Sequence, residues 1–455
     1  MLDSRDAVMP MARRRDADGG LVPKVYLYPT PLRARSGQSE LDATSILKPY
    51  GFLVDAAAYG IQGVLAERLR SMPQPPPWEA DLFVAFLPPY GPPLTPWTDE
   101  DRAAITRLGP DREDYIPNTM RLATQIMCRQ LSNSTFMRGM MPHISRKTMR
   151  RHVLFIPTGI HGCSYEARLL GTPFPPIQRW VRFITFTADT DNLVSREELA
   201  SRHVSMPYLS SVRWSLDWKG EQQPPWRDLS SRQHLVCFTG SLRGQPHSIQ
   251  LRTKLTRQCD AAPDVCVEHV TGNFPVTSPE DASKSQRQNM RMALKLKRKS
   301  TFCLEPPGFS PPRKSSIDSL LSGCIPVFFY DDNEFDTLWP FHFGGLHGWG
   351  ANASVRLPMD AALNRADYDV VQLLRRIPEA RVNAMRETIA LNAHRLVYGI
   401  GQYPGDALET LLVALHATLN ARPRAPAALQ PYTRSATTRS TCTRFWSWRC
   451  WTGGW

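Results

Sequence analysis

Two adjacent basic residues, Arg313 and Lys314, stand just before an apolar run, and Asp318 follows Lys314 by four residues. The apolar residues of the run are Ile317, Leu320, Leu321 and Cys324. Their spacing predicts one buried face of a helix of about three turns. Free backbone N–H groups and the positive end of the helix dipole favour an anion at such a helix start. The two cations suit a diphosphate, and the carboxylate of Asp318 can accept hydrogen bonds from a sugar or ribose hydroxyl.

The elements around these residues are predicted to form one strand–loop–helix–strand unit. Thr301–Glu305 is an apolar run typical of a buried strand, and the proline- and glycine-rich segment Pro306–Ser310 ends it. A helix is predicted over about Pro311–Ser322, with Gly323 as its left-handed C-cap. The strand Ile325–Tyr330 follows, parallel to the first strand, so a ligand would bind beyond the carboxyl ends of both strands. An ordinary buried unit with a solvated basic turn is the alternative.

A second candidate phosphate-binding loop precedes this unit. The strand Leu235–Phe238 runs into a loop with Gly240 and Gly244, and Arg243 lies between the two glycines. Glycine allows a diphosphate to approach the backbone closely, and a guanidinium can bind it through two hydrogen bonds. The pattern therefore predicts that Arg243 helps to hold a diphosphate.

His161 is the candidate general base. It lies in the loop Thr158–Gly162, directly after the predicted strand Val153–Ile156, and therefore at a strand's carboxyl end. Imidazole has an unperturbed pKa that suits proton transfer near neutral pH. A solvated loop histidine is the alternative.

Asp189 and Asp191 follow another predicted strand, Val181–Thr187. Such a pair can hold a divalent cation together with a nucleotide diphosphate, although acidic pairs after strands also form turns. Arg313 and Lys314 can replace a metal beside a departing diphosphate. We therefore expect no metal requirement and no cofactor.

Charge and composition limit the classes of protein to which the chain can belong. A chain of 455 residues with 42% hydrophobic residues is sufficient for two or three domains, each with a core. Its net charge of +13 is uneven, because no acidic residue follows Glu409. A basic balance suits nucleic acid, a membrane surface or an acidic substrate. No motif of the known nucleic-acid-binding folds is present, so no nucleic-acid partner is expected.

No membrane-spanning or secretory segment is predicted. The sequence has no apolar run of about 18 residues, which a spanning helix needs. The first 20 residues are polar, with four Arg and four Asp, and do not have the pattern of a signal peptide.

The stretch 302–330 resembles the signature of exostosin-like glycosyltransferases, in particular the branch that contains the plant xyloglucan galactosyltransferases. The matching residues are Phe302, Cys303, Leu304, Pro306, Gly308, Arg313, Lys314, Ser315, Asp318, Gly323, Cys324, Ile325, Pro326, Val327, Phe328 and Phe329. The resemblance runs from about Lys24 to Tyr398. Two positions depart from the family pattern: Phe309 stands where Asp is usual, and Arg151 replaces the acid that precedes His152.

The resemblance implies an α/β fold of the GT-B type, with two Rossmann-like domains facing across a cleft. It implies transfer of a sugar, with inversion, from a nucleotide-sugar donor (UDP-sugar) to a glycan hydroxyl, in polysaccharide or glycoprotein glycan synthesis. Arg243, Arg313, Lys314 and Asp318 would bind the donor, and His161 would deprotonate the acceptor. Membrane association and a place in the Golgi lumen or membrane are implied by the family alone. A catalytically inactive glycan- or nucleotide-sugar-binding protein of the same fold is the alternative, and the two departures favour it.

The resemblance and the composition also imply an organisation along the chain. Its parts are a disordered lead at 1–20, an N-terminal acceptor-side domain at 21–214, a linker at 215–230, a C-terminal nucleotide-sugar-binding domain at 231–400 and a basic Pro/Arg/Ser/Thr-rich tail at 421–455. Cys259 and Cys266 match a cysteine pair of this branch. Two alternatives stay open for them: a local disulfide or two free core thiols.

Overall fold

The structure of the chain is a computed structural model. The described residues are 22–28, 65, 68–70, 72–86, 138–145, 147–155, 182–185, 203–212, 223–242, 246–271, 279–308, 313–329, 339, 341–343, 348–398 and 405–420. The predicted lead at 1–20 and the predicted tail at 421–455 lie outside them.

The first five strands form a parallel sheet whose strand order is the chain order. They are β1 Val25–Leu27, β2 Leu82–Phe86, β3 His152–Phe155, β4 Arg182–Thr185 and β5 His203–Ser205. Strands β2 and β3 are buried along their whole length. Their near-continuous apolar sequences suit a parallel sheet covered on both faces.

The second sheet is also parallel, with the strand order β10-β9-β8-β6-β7. Its strands are β6 His234–Gly240, β7 Cys266–Val270, β8 Ser300–Glu305, β9 Ile325–Phe328 and β10 Val355–Arg356. Phe302 of β8 pairs with Ile325 of β9. The predicted parallel pair that carries the signature is therefore confirmed.

The helices that accompany the sheets include α1 Pro246–Asp260, α2 Pro279–Lys299, α3 Lys314–Leu321, α4 Met359–Asn364, α5 Val370–Arg375, α6 Glu379–Asn392 and α7 Ala407–Asn420. The predicted start of α3 at Pro311 is wrong. The helix begins at Lys314 because the backbone of Arg313 is extended, with φ −134° and ψ 140°, and cannot continue a helix toward its N-terminus. The predicted left-handed C-cap is confirmed, since Gly323 has φ +71°.

The core of the second sheet contains the predicted apolar face of α3. Ile317, Leu320 and Leu321 are fully buried in it. Trp226, from the 3-10 turn Pro225–Arg227, is buried in the same core. Each of these aliphatic side chains stabilises the fold by about 1.5–3 kcal/mol through burial.

The core of the first sheet includes the last described helix of the chain. Leucines of α7 pack with strand residues from β1, β2 and β3. The buried leucines of α7 are Leu408, Leu411, Leu412 and Leu415. Arg68 lies 3.5 Å from Glu409 and 3.7 Å from Asp406 at the start of α7, and all three side chains are buried. The chain thus returns to its first sheet after completing the second.

The predicted α/β fold class is confirmed: the described residues form two separate five-stranded parallel sheets, as expected of the GT-B type. None of the helices in the described ranges combines the length and apolarity that a membrane crossing requires.

Candidate functional site

The strand order of the second sheet reverses between β6 and β8. The chain leaves β6 through α1 toward β7 on one side, and leaves β8 through α3 toward β9 on the other side. Ser241 and Leu242 follow β6, and Pro306–Gly308 follow β8. In doubly wound sheets ligands bind outside the carboxyl ends of the strands at this reversal. We call this edge the switch-point edge.

Arg313 reaches the switch-point edge. Its guanidinium lies directly against Gly308, where an added Cβ atom would be 1.7 Å from Nη2 and 2.2 Å from Cζ of Arg313. A side chain at position 308 would therefore displace the guanidinium. Glycine in the signature loop allows the cation to lie beside the loop backbone.

Lys314 and Asp318 form an ion pair on the first turn of α3, with Nζ and Oδ2 2.7 Å apart. The other carboxylate oxygen, Oδ1, accepts a hydrogen bond from Ser210 Oγ at 2.6 Å and one from the Ser211 N–H at 2.8 Å. Lys314 also donates to Ser211 Oγ. Ser210 and Ser211 follow β5, so Lys314 and Asp318 bind α3 to the segment that leaves the first sheet.

A buried ion pair beneath the first turn of α3 was missed by sequence reasoning. Nζ of Lys297 lies 2.7 Å from Oε1 of Glu305, the last residue of β8, and both side chains are buried. Ser315 and Ser319 of α3 donate to the same oxygen at 3.1 and 2.5 Å, and both hydroxyls accept from Lys297 at 3.0 and 2.7 Å. Burial lowers the pKa of Lys297, but the charge of Glu305, its hydrogen bond to the lysine and the charge of Asp318 act together against burial, and the net pKa is raised. The lysine is therefore charged, and it locks α3 to the end of β8.

His152, at the start of β3, is a buried structural histidine. Its Nδ1 lies 2.9 Å from the carbonyl oxygen of Thr148, and its Nε2 lies 2.7 Å from the hydroxyl of Tyr28. Because a carbonyl oxygen only accepts, Nδ1 carries the hydrogen and Nε2 accepts from Tyr28. Burial lowers the pKa of His152 to about 4, so the ring is neutral at pH 7. Burial also raises the pKa of Tyr28.

Arg151 stands where the family pattern has an acid, and its side chain packs against residues at and just before β2. Its Nη1 donates to the carbonyl oxygen of Ala80 at 2.7 Å, and its Cζ lies 5.3 Å from the ring centre of Phe83. These contacts give Arg151 a role in holding the strands of the first sheet together.

The remaining predicted residues lie outside the described part of the chain. They are the candidate base His161, the loop residue Arg243, and the acidic residues Asp189 and Asp191. Their proposed roles stay predictions.

The cysteines of the second sheet form two disulfides. Cys259 bonds to Cys266, the first of the two alternatives above, and Cys303 bonds to Cys324. The sulfur of Cys237, a buried thiol, lies 3.3 Å from that of Cys303. Among the described residues, Cys237, Cys303 and Cys324 are the group whose ligand atoms converge as a metal site requires, but two of these sulfurs are bonded to each other. Sequence reasoning missed the second disulfide, although Cys303 lies on β8 and Cys324 directly precedes the adjacent strand β9 in the signature.

Named plant proteins are similar to parts of the chain. A probable xyloglucan galactosyltransferase of Arabidopsis thaliana, GT15, is 28% identical over 217 residues, which are 47% of this chain and 41% of the relative. The xyloglucan-specific galacturonosyltransferase 1 of the same plant is 41% identical over 99 residues, 22% of this chain and 13% of the relative. The chain thus matches less than half the length of these relatives.

Among solved structures, the pneumococcal O-GlcNAc transferase GtfA in complex with UDP and GlcNAc is 12% identical, with a TM-score of 0.30. The alignment covers 62% of this chain and 59% of that one.

The match to a family model extends over both sheets. The model of the Exostosin GT47 domain matches residues 23–384, from just before β1 into α6. It therefore includes the signature unit, the switch-point edge and the Arg151–His152 pair. By this match the chain belongs to the exostosin GT47 family.

Proposed function

We propose that the protein is a glycosyltransferase that moves a sugar from a UDP-sugar to a glycan hydroxyl with inversion at the anomeric carbon. The observation that carries the proposal is the cationic start of α3, with Arg313 against Gly308, at the switch-point edge of a GT47 chain. The relatives are named for transfer of galactose and galacturonic acid, so UDP-galactose and UDP-galacturonic acid are the first donors to test.

On the donor side, the nucleotide must leave as a diphosphate whose negative charge grows in the transition state. Arg313, Lys314 and Arg243 would stabilise that charge together with the N-terminus of α3. This set of cations can replace a metal ion, so we propose that transfer proceeds without an added divalent cation and with no other cofactor.

Asp318 would bind a hydroxyl of the donor's ribose or sugar. A carboxylate has about four positions for accepting hydrogen bonds, and Ser210, Ser211 and Lys314 occupy three of them. One position is therefore left for the hydroxyl. The same carboxylate would then link the donor to the segment that leaves the first sheet.

On the acceptor side, a base must take the proton as the hydroxyl oxygen attacks the anomeric carbon and the bond to the diphosphate breaks. We propose His161 for this role. His161→Ala should lower kcat by roughly 10²-fold, as expected for loss of a general base, with UDP affinity unchanged. An unaltered kcat would exclude His161 and direct attention to Asp189 and Asp191.

The decisive experiment combines binding and turnover. Thermal shifts with a panel of UDP-sugars should single out one donor, and that donor should be hydrolysed slowly in the absence of acceptor. A donor that binds but is never hydrolysed or transferred would indicate a glycan- or nucleotide-sugar-binding protein without turnover. Failure of every nucleotide sugar to bind would overturn the proposal. We place the protein in Golgi glycan synthesis on family grounds, and its localisation in cells would test that placement.

A further inference from the structure

Helix α1 carries an arginine that holds both loops of the switch-point edge. Arg252 donates from Nη1 to the carbonyl oxygen of Ser241 at 2.6 Å, in the loop after β6. It donates from Nη2 to Pro306 and from Nε to Pro307, both at 3.1 Å, in the loop after β8. The side chain is only 8% exposed. One planar guanidinium thus fixes the distance between the two loops.

Ser248, one turn earlier on α1, extends this contact. Its buried hydroxyl donates to the carbonyl oxygen of Gly308 at 3.1 Å. Gly308 is the residue against which the Arg313 guanidinium lies. The helix therefore holds the backbone on which the candidate donor-binding cation rests.

These contacts also fix the direction of two backbone N–H groups. No described peptide bond is cis, and in a trans peptide the C=O and the following N–H point in opposite directions. The carbonyls of Ser241 and Pro307 point at Arg252, so the N–H groups of Leu242 and Gly308 point away from it. Two N–H groups on adjacent loops at the carboxyl edge of a sheet are suitable donors for an anion.

We propose that Arg252 is a positioning residue for the donor diphosphate. Through its hydrogen bonds to three backbone carbonyls it orients the loops after β6 and β8, so that their backbone N–H groups and Arg313 converge on the phosphates. The inference rests on the proposed function, because it assumes that a nucleoside diphosphate binds at this edge.

Arg252→Lys tests the proposal against a matched control. The ammonium of lysine cannot reach three carbonyls in one plane, so the loops would lose their fixed spacing. Arg386→Lys is the control, because Arg386 is also buried and donates to two backbone carbonyls, of Leu229 and Asp228, elsewhere in the same half of the molecule. Both substitutions should lower the Tm, but only Arg252→Lys should weaken binding of the diphosphate.

The measurement is isothermal titration with uridine and with UDP. In Arg252→Lys, UDP should bind about tenfold more weakly than in the parent protein, while uridine affinity is unchanged. In Arg386→Lys, both affinities should equal those of the parent. Should Arg252→Lys fail to fold, Ser248→Ala carries the test, because it removes only the contact with Gly308 and should weaken UDP but not uridine.

Three results would overturn the inference. They are unchanged UDP affinity in Arg252→Lys, equal losses for uridine and UDP, and an equal loss of UDP affinity in Arg386→Lys. In each case the parent still binds UDP, so the proposed function stands. A parent protein that does not bind UDP would instead remove the proposed function, and this inference with it.

Discussion

At the scale of single residues, Gly308 and Arg313 depend on each other. The guanidinium occupies the space that any side chain at position 308 would fill. Glycine at 308 and arginine at 313 are therefore one structural unit, separated by four residues in the sequence. Both belong to the pattern from which the donor site was predicted.

Arg313→Ala should weaken UDP binding by on the order of 2 kcal/mol, because a charge-assisted hydrogen bond to phosphate is lost. Arg313→Lys should recover only part of that loss, since an ammonium lacks the planar fork. Gly308→Ala should weaken UDP similarly by displacing the guanidinium. Isothermal titration with UDP measures these effects, with the exposed Arg381→Ala as the control. Unchanged UDP affinity in Arg313→Ala would mean that the stretch 302–330 has only a structural role and is not a donor site.

His152 gives the first sheet a dependence on pH. Its pKa is about 4 when folded and about 6.5 when unfolded, so the unfolded chain binds more protons between these values. The contribution of His152 to the free energy of unfolding is therefore fully present above pH 6.5 and is lost as the pH falls toward 4, by on the order of 3 kcal/mol in total.

His152→Gln keeps a donor for Thr148 and an acceptor for Tyr28 but cannot titrate. Chemical unfolding at pH 7 and at pH 5 should show a smaller loss of stability for the variant than for the parent. The same loss in both proteins would assign the acid sensitivity to other groups.

At the scale of elements, the Lys297–Glu305 pair determines where α3 meets β8. Lys297→Met should lower the free energy of unfolding by about 3–5 kcal/mol, because it leaves the Glu305 carboxylate buried without its cation. Lys295→Met on the exposed side of the same helix should have little effect. Adding Glu305→Gln to Lys297→Met should recover part of the loss. Urea unfolding measures all three variants, and equal stabilities of the two Met variants would contradict this account.

Elements with a local sequence signal could be predicted. Examples are the apolar runs of β8 and β9, the helical spacing of α3 and the glycine at position 323. Each of these patterns depends only on residues that are close together in the sequence. Proline at the first helical position predicts a start of α3 at Pro311, whereas the helix begins after the extended Arg313. Arg252, Ser210 and Lys297 carry no such signal, since their roles depend on loops and strands that the fold brings to them.

At the scale of the whole molecule, the sequence alone did not predict that α7 completes the core of the first sheet. Its leucines have ordinary amphipathic spacing, and nothing in that spacing selects one sheet over the other. The structure places them in the core of the first sheet, far from that sheet in sequence.

Leu411→Ala should therefore destabilise the protein by about 2–5 kcal/mol, the usual effect of a cavity in a core. Leu391→Ala on α6 should change stability little, because that side chain is 72% exposed. Chemical unfolding would show the difference. Similar losses for the two leucines would mean that α7 adds little to the first core.

The return of α7 also has a consequence for synthesis on the ribosome. The strands of the first sheet emerge early, but part of their apolar cover is translated only after residue 406. Among the described residues, those in the core of the second sheet end at Val397, before that cover is translated. We therefore expect the half of the protein that is made first to be finished last, and its nascent chain to be prone to aggregation until α7 is made.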